Sequence, residues 1–600
     1  MTRLFGAVTL LIALVVTPGY LFYFDVTPKL VILLAGTAAA CAWAGLSRGV
    51  EASRRHSRVY RVFCGLLAAA AGSLAVSTAF SRHPALSAFG TNWRRFGAVS
   101  QCALLVFAWL VARHVAGRPD RIRTILRFVA LSAALAGVYG ILQYFGWDPL
   151  LPAAAYHVGE GLWTIVRPPG TMGYVSYFAN WLLGAAFLCA LLAAMEPPGT
   201  WRTLAVAACA VATCAMLLTG TRAAIFGLFV GIIVWLSAHR VHIPRRAAVV
   251  SLLVIAAGTA FYFSPAGWLL HSRARWFAED PFGGARLWLW RDGLHMAGKS
   301  VAAGFGPEVF TVQFPAFESV ELARAYPDFV HESPHNLFLD ALVAQGIPGC
   351  GILLALCALG LWSARRHPAL AAALAATIAA NQFTVFILPT AFLFFLTVAL
   401  AVALESGPVE RPFPVSLRAC AAATALLFAF CTLRYSAADR SLALASRSLT
   451  RGDAASAATH YARYDRWRFP GTSAALWYSR ALFSFAGSTD NAIVRVQALA
   501  LSGSAAVRAT AEAEDPCDAW YNAAGLYAAQ NDFPRTEAAL RTAITANPRW
   551  FKPHWTLARA LALAGRSQEA AREAAIAADL DGGRNPEVET TLHNIRASLR

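Results

Sequence analysis

The chain has 600 residues, of which 58% are apolar and only 14% charged, and its mean hydropathy is +0.50. A soluble protein is about half apolar and a quarter charged, so this composition excludes an ordinary cytosolic enzyme. The formal net charge is +18, but no basic stretch carries interleaved aromatic residues or a recognition motif, so no nucleic acid partner is expected.

Apolar runs of membrane-spanning length follow one another from the N-terminus to about residue 433. The first run has one arginine ahead of it and no cleavage site of small residues behind it, so we expect a retained span and not a signal peptide. The thirteen runs are Leu4–Phe24, Leu30–Leu46, Val62–Phe80, Val99–Val111, Ile125–Phe145, Val175–Met195, Leu204–Leu218, Ala223–Ala238, Ala247–Phe263, Leu337–Leu361, Ala369–Ile387, Ala391–Leu404 and Ala419–Cys431. The sequence therefore predicts an all-α, polytopic membrane domain of about 12 to 13 spans over residues 1–435.

Arginines in the short loops set the expected orientation, because loops rich in Lys and Arg are retained in the cytoplasm. They cluster in the even-numbered loops as Arg48, Arg54, Arg55 and Arg58; Arg113, Arg118, Arg121 and Arg123; Arg240, Arg245 and Arg246; and Arg365 and Arg366. We therefore expect a bacterial inner-membrane protein with a cytoplasmic N-terminus, a large periplasmic loop at 264–336 and a periplasmic C-terminal region. One odd-numbered loop departs from this pattern through Arg82, Arg94 and Arg95, which marks either a misplaced helix or arginines held outside for a purpose.

Residues 436–600 have the composition of a soluble region, because Arg, Glu, Asp and Gln now alternate with Ala. From Trp520 to Pro548 the order of small and large positions is that of a tetratricopeptide repeat, and a second copy follows about 34 residues later. A weaker copy covers 441–470, whereas residues 472–513 do not fit the period. The sequence therefore predicts a degenerate tetratricopeptide-like array of helices, either as a cap on the membrane domain or as a platform that binds a partner protein or an acceptor.

Four stretches in the predicted outer loops carry residues suited to chemistry on a membrane-bound substrate. They are Arg167–Gly173, Thr219–Arg222, Gly283–Arg291 followed by Gly304–Pro307, and His331–Asn336, which leads into the tenth span as far as Gly346–Gly349. Each also has a structural explanation: a Gly-Pro loop, an arginine that extends to the lipid headgroups, tryptophans that anchor a helix at the interface, or a histidine that caps a helix. Their common feature is that all four lie on one side of the membrane, in a topology derived without them.

The residue types in these stretches indicate phosphate chemistry. Arginines near the outer interface can hold a diphosphate through bidentate, charge-assisted hydrogen bonds. A neutral histidine can take a proton from an incoming hydroxyl. No Asp-x-Asp motif or acidic cluster in these loops offers a metal site, so we expect a mechanism that uses neither a metal nor a cofactor.

Several of these residues occur together in a pattern that resembles the O-antigen ligase family. They are Ser333, Pro334, His335 and Asn336 with Leu339, Gly346, Pro348 and Gly349, the Thr219–Arg222 turn, the stretch around Arg286, and Gly304–Gly306. The resemblance covers about residues 90–405, and the same superfamily includes O-antigen polymerases and bacterial O-oligosaccharyltransferases. It implies a membrane domain of the GT-C-like kind.

The resemblance also implies an activity, in which a glycan moves from undecaprenyl diphosphate to an acceptor hydroxyl at the periplasmic face, with inversion at the sugar. It implies that His335 is the base, and that Arg222 and Arg286 bind the diphosphate and stabilise it as a leaving group. Further candidates for substrate binding are Arg291, Arg167, Asn336, Arg94 and Arg95.

Three acceptors remain open: lipid A-core, as in O-antigen ligation; a growing glycan polymer; and a protein, which a tetratricopeptide-like array would suit. Two positions depart from the family pattern. Gly173 is followed by Tyr174 and not by Gly-Asn-Pro-Asn, and the residue nine after the histidine is Ala344 and not an acidic one. A membrane scaffold or transporter is the remaining alternative, but few polar residues interrupt the spans.

Overall fold

The computed structural model describes residues 1–46, 57–152, 156–158, 165–238, 256–268, 270–271, 284–408, 415–471 and 473–599. Outside these residues lie most of the ninth predicted span, Ala247–Phe263, together with Gly283, Thr472 and the loop arginines Arg48, Arg54, Arg55, Arg240, Arg245 and Arg246. The described part of the chain is helical, which confirms the predicted fold class. In the described residues, the β-structure is one short antiparallel pair of two-residue strands, β1 (His157–Val158) and β2 (Ile165–Val166).

Nine helices make up the first half of the described membrane domain. They are α1 (Thr2–Leu14), α2 (Thr27–Leu46), α3 (Arg58–Ala79), α4 (Pro84–Phe89), α5 (Ala98–Val115), α6 (Pro119–Tyr144), α7 (Val175–Met195), α8 (Thr200–Leu218) and α9 (Arg222–Ala238). Runs of Ala and Leu favour these helices. Pro84 and Pro119 begin α4 and α6, where the fixed φ of proline suits a helix start and its missing N–H would have had no helical partner.

The second half begins with three short helices and continues with four longer ones. They are α10 (Arg286–Ala297), α11 (Phe310–Gln313), α12 (Val320–Ala325), α13 (Leu337–Ala364), α14 (Pro368–Ala380), α15 (Leu388–Glu405) and α16 (Val415–Thr450). By length and composition, nine of the described helices can cross a membrane, namely α2, α3, α5, α6, α7, α8, α13, α15 and α16. The shorter apolar helices α1, α9 and α14 accompany them. Together they correspond to every predicted run except the ninth, and the protein is a multi-pass membrane protein.

Helices α7 and α15 form the centre of the bundle. Within the most apolar stretch of each helix, 78% of α7 and 83% of α15 are buried inside the protein, against 17% for α16. Trp181, Phe392 and Phe394 are among the largest fully buried side chains. Because close packing fixes these two helices, the positions of their first residues are fixed as well.

The first predicted run, Leu4–Phe24, is helical only as far as Leu14. Pro18 and Gly19 follow, and Gly19 has a φ of +69°. Proline lacks the N–H that a continuing helix needs, and glycine adopts this φ without strain, so the chain turns. The turn brings Asp25 to a cavity at the start of α2 instead of leaving it beyond the end of a span.

Helix α13 is interrupted at Gly346, where φ is +66° and ψ is −165°. The Gly304–Pro307 turn lies against this break, and the N–H of Ile347 donates to the carbonyl oxygen of Val301 at 2.8 Å. A Cβ atom on Gly304 or on Gly346 would overlap the backbone of the opposite segment. The two glycine segments therefore pack closely, and both Gly304 and Gly346 need glycine because of this approach and of their positive φ.

The C-terminal region, here called the array, consists of successive helices that contact their chain neighbours. They are α17 (Ala454–Trp467), α18 (Ala475–Ser488), α19 (Ala492–Glu512), α20 (Pro516–Ala529), α21 (Phe533–Ala546), α22 (Phe551–Leu563), α23 (Ser567–Asp581) and α24 (Pro586–Ala597). Buried alanines at the contacts allow close packing, as in helical repeat proteins. The correspondence to tetratricopeptide repeats and the domain boundary at 435 stay predictions, and α16 is continuous across that boundary.

The array packs on the membrane domain. The ring of Phe469 stacks on that of Phe89 at 4.2 Å between centroids, and Lys552 pairs with Asp328 at 2.7 Å. Ala323 of α12 is part of the apolar core of the last array helices. These contacts agree with the interpretation of the array as a cap, while its binding of a partner stays a prediction.

Candidate active site

A cavity of about 400 Å³ lies where four helices begin. The lining includes the first turns of α2, α7 and α15 and the residue before the N-cap of α13, together with loop residues such as Trp93, Arg94 and Glu332. Backbone N–H groups in the first turn of a helix lack helical partners, and the helix dipole is positive there, so such ends attract anions. We call this space the site cavity. The convergence of helix starts makes it suited to a negatively charged ligand.

His335 lines the site cavity in a backbone conformation that is unusual for a residue other than glycine, with a φ of +52°. Its N–H donates to the hydroxyl of Ser333 at 3.1 Å, and the indole N–H of Trp290 donates to the carbonyl oxygen of Pro334 at 3.0 Å. Asn336 then caps α13 by accepting from two backbone N–H groups. Contacts on both sides thus hold His335 in a conformation that costs about 1–3 kcal/mol.

The electrostatic surroundings of His335 keep its imidazole neutral. Burial, followed by the positive charges of Arg286, His331 and Arg94, lowers its pKa from 6.5 to about 3. A neutral imidazole can accept a proton at pH 7. The histidine predicted as a base is therefore in the protonation state that a base needs.

Arg94 is buried and joins the segments around the cavity. Its Nε lies 3.2 Å from Oε1 of Glu308, its Nη2 lies 3.8 Å from Oδ2 of Asp340, and its Nη1 donates to the carbonyl oxygen of Glu332 at 3.2 Å. Burial lowers the pKa of this guanidinium, but the carboxyl groups of Glu308, Asp340 and Glu332 outweigh burial and raise the pKa above its ordinary value. Arg94 therefore stays charged and fixes the loop that carries His335.

Arg95, predicted together with Arg94, faces a different part of the protein. Its Nη2 pairs with Oδ1 of Asp439 on α16 at 3.2 Å, and its guanidinium lies over the rings of Tyr23 and Tyr435 at 5.4 and 5.0 Å. Tyr23 lines the site cavity. Arg95 therefore ties α16 to a cavity wall and does not itself line the cavity.

Arg286 and Arg222 are the first residues of α10 and α9. One turn further along each helix, Trp290 and Phe226 contact the same ring, that of Phe383, at 5.8 and 5.7 Å between centroids. The two arginines thus begin helices that meet at one point, and the charge of Arg286 reaches His335. Neither arginine is among the residues that line the site cavity.

The remaining predicted residues occupy different surroundings. Arg167 lies 5.5 Å from the ring centroid of Tyr174, which lines the site cavity. Arg291 pairs with Asp292 at 3.0 Å and with Glu321 at 3.2 Å, and half of its side chain is exposed. The structure therefore brings Arg167 to the cavity's edge, whereas Arg291 binds carboxylates elsewhere on α10 and α12.

Lys29 was missed by sequence reasoning, although the chain has only three lysines. It is 1% exposed, lines the site cavity and donates from Nζ to the carbonyl oxygen of Val15 at 2.8 Å. Asp25 lies one turn before it in the same cavity, and burial raises the pKa of this carboxyl despite the charge of Lys29. A Cβ on Gly173 would overlap the Asp25 carboxylate, which explains this glycine. The missed signal was a lysine in an arginine-rich chain, at the start of an apolar run.

Glu332 is a second residue that sequence reasoning left aside, because it belongs to no acidic cluster in the sequence. Its side chain lines the site cavity, and Oε1 accepts a hydrogen bond from the hydroxyl of Tyr177 at 3.2 Å. Burial raises its pKa to about 7, with Arg94 acting in the opposite direction. A carboxyl group that titrates near neutral pH thus lies in the same cavity as His335.

The sequence model of the O-antigen ligase family matches residues 207–354 of the chain. The match includes Arg222, Arg286 and His335 together with the glycines of the two meeting turns. No curated protein matches the chain. At the level of the family, the match supports a membrane glycosyltransferase of the O-antigen ligase or polymerase type.

Proposed function

We propose that this protein transfers a glycan from a lipid-linked diphosphate to an acceptor hydroxyl in the site cavity. The observation that carries the proposal is a neutral histidine, His335, in a cavity where four helices begin. Helix starts favour the diphosphate, and the neutral imidazole favours proton abstraction from the acceptor. The cavity therefore has groups suited to both requirements of a glycosyl transfer, binding of the leaving diphosphate and activation of the acceptor hydroxyl.

The donor we propose is a glycan on undecaprenyl diphosphate. Among the described residues, Lys29 donates one hydrogen bond, to the carbonyl oxygen of Val15, and an ammonium group has three donors, which leaves donors for a phosphate oxygen. Arg286 and Arg222 begin the two helices that meet at Phe383, and we assign them to the diphosphate, as the family resemblance implies. Arg94 is balanced by carboxylates and serves instead to position the loop before α13.

In the reaction, a nitrogen of His335 takes the proton of the acceptor hydroxyl. The hydroxyl oxygen attacks the anomeric carbon, and the bond from that carbon to the diphosphate oxygen breaks as the new glycosidic bond forms. The electron pair leaves with undecaprenyl diphosphate, whose charge the cations stabilise. Attack opposite the leaving group inverts the anomeric carbon, and the imidazolium returns its proton to water. We propose that this scheme proceeds without metal or nucleotide.

Donor binding would also prepare the base. Burial and nearby cations hold the pKa of His335 at about 3 in the free protein, and so low a pKa makes a weak base. A diphosphate brings negative charge that offsets those cations and raises the histidine pKa. Proton abstraction would thus become efficient only after the donor has entered.

The acceptor that we favour is lipid A-core, with a growing polymer or a protein as alternatives. Phe329 lines the site cavity, and its neighbour Asp328 contacts Trp550 and Lys552 of the array at 3.0 and 2.7 Å. The array thus holds one wall of the cavity, so an acceptor bound to the array would lie close to His335. This contact keeps protein glycosylation as the second candidate.

We place the site cavity at the periplasmic face of the inner membrane and the N-terminus in the cytoplasm. Loop arginines support this orientation, and a lipid-linked glycan would reach the cavity from the membrane. Cysteine accessibility in intact cells, tested with an impermeant thiol reagent on single cysteines placed in the 366–367 loop and after residue 590, would check it. Labelling of the first position and not the second would contradict the orientation.

The experiment that tests the function uses purified full-length protein in liposomes with an undecaprenyl-diphosphate-linked glycan and three acceptors in parallel. We expect transfer to lipid A-core that is lost in His335→Gln and retained in His295→Gln, a change at an exposed histidine on α10. Transfer to a glycan or a protein instead would select an alternative acceptor. Equal transfer by the His335 variant and the native protein would contradict the proposal.

A further inference from the structure

An apolar groove of about 730 Å³ runs along the bundle between α3, α5 and α16. On α3 its wall is formed by Leu67, Ala71, Ala75 and Ala79, which recur every four residues and lie on one face of the helix. Three of the four are alanine, and their small side chains leave the groove open. From Leu67 to Ala79 the helix rises about 18 Å, which is more than half of the roughly 30 Å hydrocarbon thickness of a bilayer.

A second cavity, of about 510 Å³, lies between α4 and the array. Its charged lining residues are the arginines Arg82, Arg434, Arg466 and Arg468 and the carboxylates Asp465 and Glu512. Four positive charges minus two negative charges leave an excess of two. We call it the arginine cavity, and its charge is suited to an anion.

The arginines of this cavity differ in whether they already pair with carboxylates. Arg468 pairs with Asp465 at 2.7 Å and with Glu512 at 2.6 Å, which accounts for both carboxylates. Arg82 and Arg466 are exposed, and neither forms an ion pair with a residue in the described ranges. The excess charge therefore lies on the cavity's accessible side chains.

The groove leads into the arginine cavity. Pro84, the first residue of α4, lines both spaces. On α16, Leu427 lines the groove and Arg434 lines the cavity. Seven residues separate them, so they lie on the same face of the helix about 10 Å apart. A hydrocarbon chain in the groove would bring its headgroup to the arginines.

We propose that this protein binds a phosphorylated membrane lipid here, with its hydrocarbon chain in the groove and its phosphate at Arg82 and Arg466. The apolar length and the excess positive charge match the two parts of such a lipid, and a soluble anion would use only the second. None of the residues that line these two spaces lines the site cavity. The site is therefore additional to the proposed transferase site and does not depend on it.

The first test compares lipids with the same chains and different headgroups on the purified full-length protein by native mass spectrometry. We expect phosphatidic acid and phosphatidylglycerol to remain bound, and the uncharged diacylglycerol to bind about tenfold more weakly. Glycerol phosphate, which has the anion without the chain, should not displace them. Equal retention of diacylglycerol, or displacement by glycerol phosphate at equal concentration, would overturn the proposal.

The second test uses matched variants on each half of the site. Arg82→Gln combined with Arg466→Gln should weaken phosphatidic acid binding about tenfold, whereas Arg463→Gln, at an exposed arginine of α17 outside the cavity, should not. Ala75→Trp should fill the groove and release the lipid, whereas Val76→Trp, on its exposed neighbour outside the groove, should not. Unchanged binding in the double arginine variant or in Ala75→Trp would refute that half of the site, and with it the proposed lipid.

Discussion

The indole N–H of Trp290 donates to the carbonyl oxygen of Pro334 at 3.0 Å, and this bond joins the helix that begins with Arg286 to the residue before His335. One hydrogen bond thus links the segment of the proposed base, His335, to the helix of Arg286, which is proposed to bind the diphosphate. Loss of a single neutral hydrogen bond costs about 0.5–1.5 kcal/mol.

Trp290→Phe should therefore lower the transfer rate about three- to tenfold while leaving the thermal midpoint of the purified protein nearly unchanged. Steady-state transfer kinetics measure the effect. Trp288→Phe, at an exposed tryptophan two positions earlier, is the control. If both variants lose the same activity, the bond to Pro334 has no special part in the site.

The acidic limb of the pH–rate profile should depend on Arg286. Burial and then the charge of Arg286 are the leading causes of the low pKa of His335, about 3, so Arg286→Gln removes a depressing charge and should raise that pKa. The acidic limb of kcat/KM, which reports the free enzyme, should move to higher pH in the variant. A limb that stays in place would show that the charge does not act on the base.

In the unaltered protein, the acidic limb of kcat and the acidic limb of kcat/KM should lie at different pH values. If the bound diphosphate raises the pKa of His335, the acidic limb of kcat, which reports the enzyme–substrate complex, should lie at higher pH than that of kcat/KM. The profile measured with donor at saturating and at limiting concentration checks this. Coincident limbs would contradict the coupling of donor binding to basicity.

Lys29→Met should raise the donor KM at least tenfold and leave the acceptor KM unchanged, because the ammonium is proposed to contact the diphosphate only. Asp25→Asn removes the neighbouring carboxylate and should lower the donor KM. Transfer kinetics with the donor and the acceptor varied in turn measure both constants for each variant. Equal loss of donor and acceptor use in Lys29→Met would indicate that the lysine holds the fold and not the substrate.

Gly346→Ala should destabilise the protein by about 1–3 kcal/mol, because alanine at a φ of +66° is strained and its Cβ would lie 2.5 Å from the carbonyl oxygen of Val301. Gly351→Ala in the same helix has open space around it and should be neutral or slightly stabilising. Thermal unfolding of both variants in detergent measures the difference. A Gly346 variant as stable as the Gly351 variant would show that the break in α13 is not enforced by the Gly304 turn.

The sequence predicted the helices well because apolar runs bounded by arginine loops identify spans without reference to neighbours. It could not predict that the run after Leu14 turns or that α13 breaks at Gly346. Both features depend on a short glycine segment meeting another part of the chain. Hydropathy averages over a window and does not register a single φ.

At the candidate site, the sequence motif predicted His335, which lines the site cavity, but the sequence could not separate Arg94 from Arg95. These two neighbouring arginines pair with carboxylates in different parts of the protein: Arg94 pairs with Glu308 and Arg95 pairs with Asp439. Lys29 shows the converse, because nothing in its local sequence reveals that a loop some 300 residues away lies opposite it. Long-range contacts of this kind require the fold.

Helix α16 continues without a break from Val415 to Thr450, over 36 residues and about 54 Å. The rotational phase of this helix therefore sets which face of the array meets the membrane domain. One residue inserted near Arg434 would turn everything beyond it by about 100° and carry Asp439 away from Arg95, whereas four would rotate it by about 400°, slightly more than one full turn, and shift the array by about 6 Å along the helix axis. An insertion or deletion of one or two residues in this helix would thus rotate the array strongly while changing its distance from the bundle by only a few ångströms.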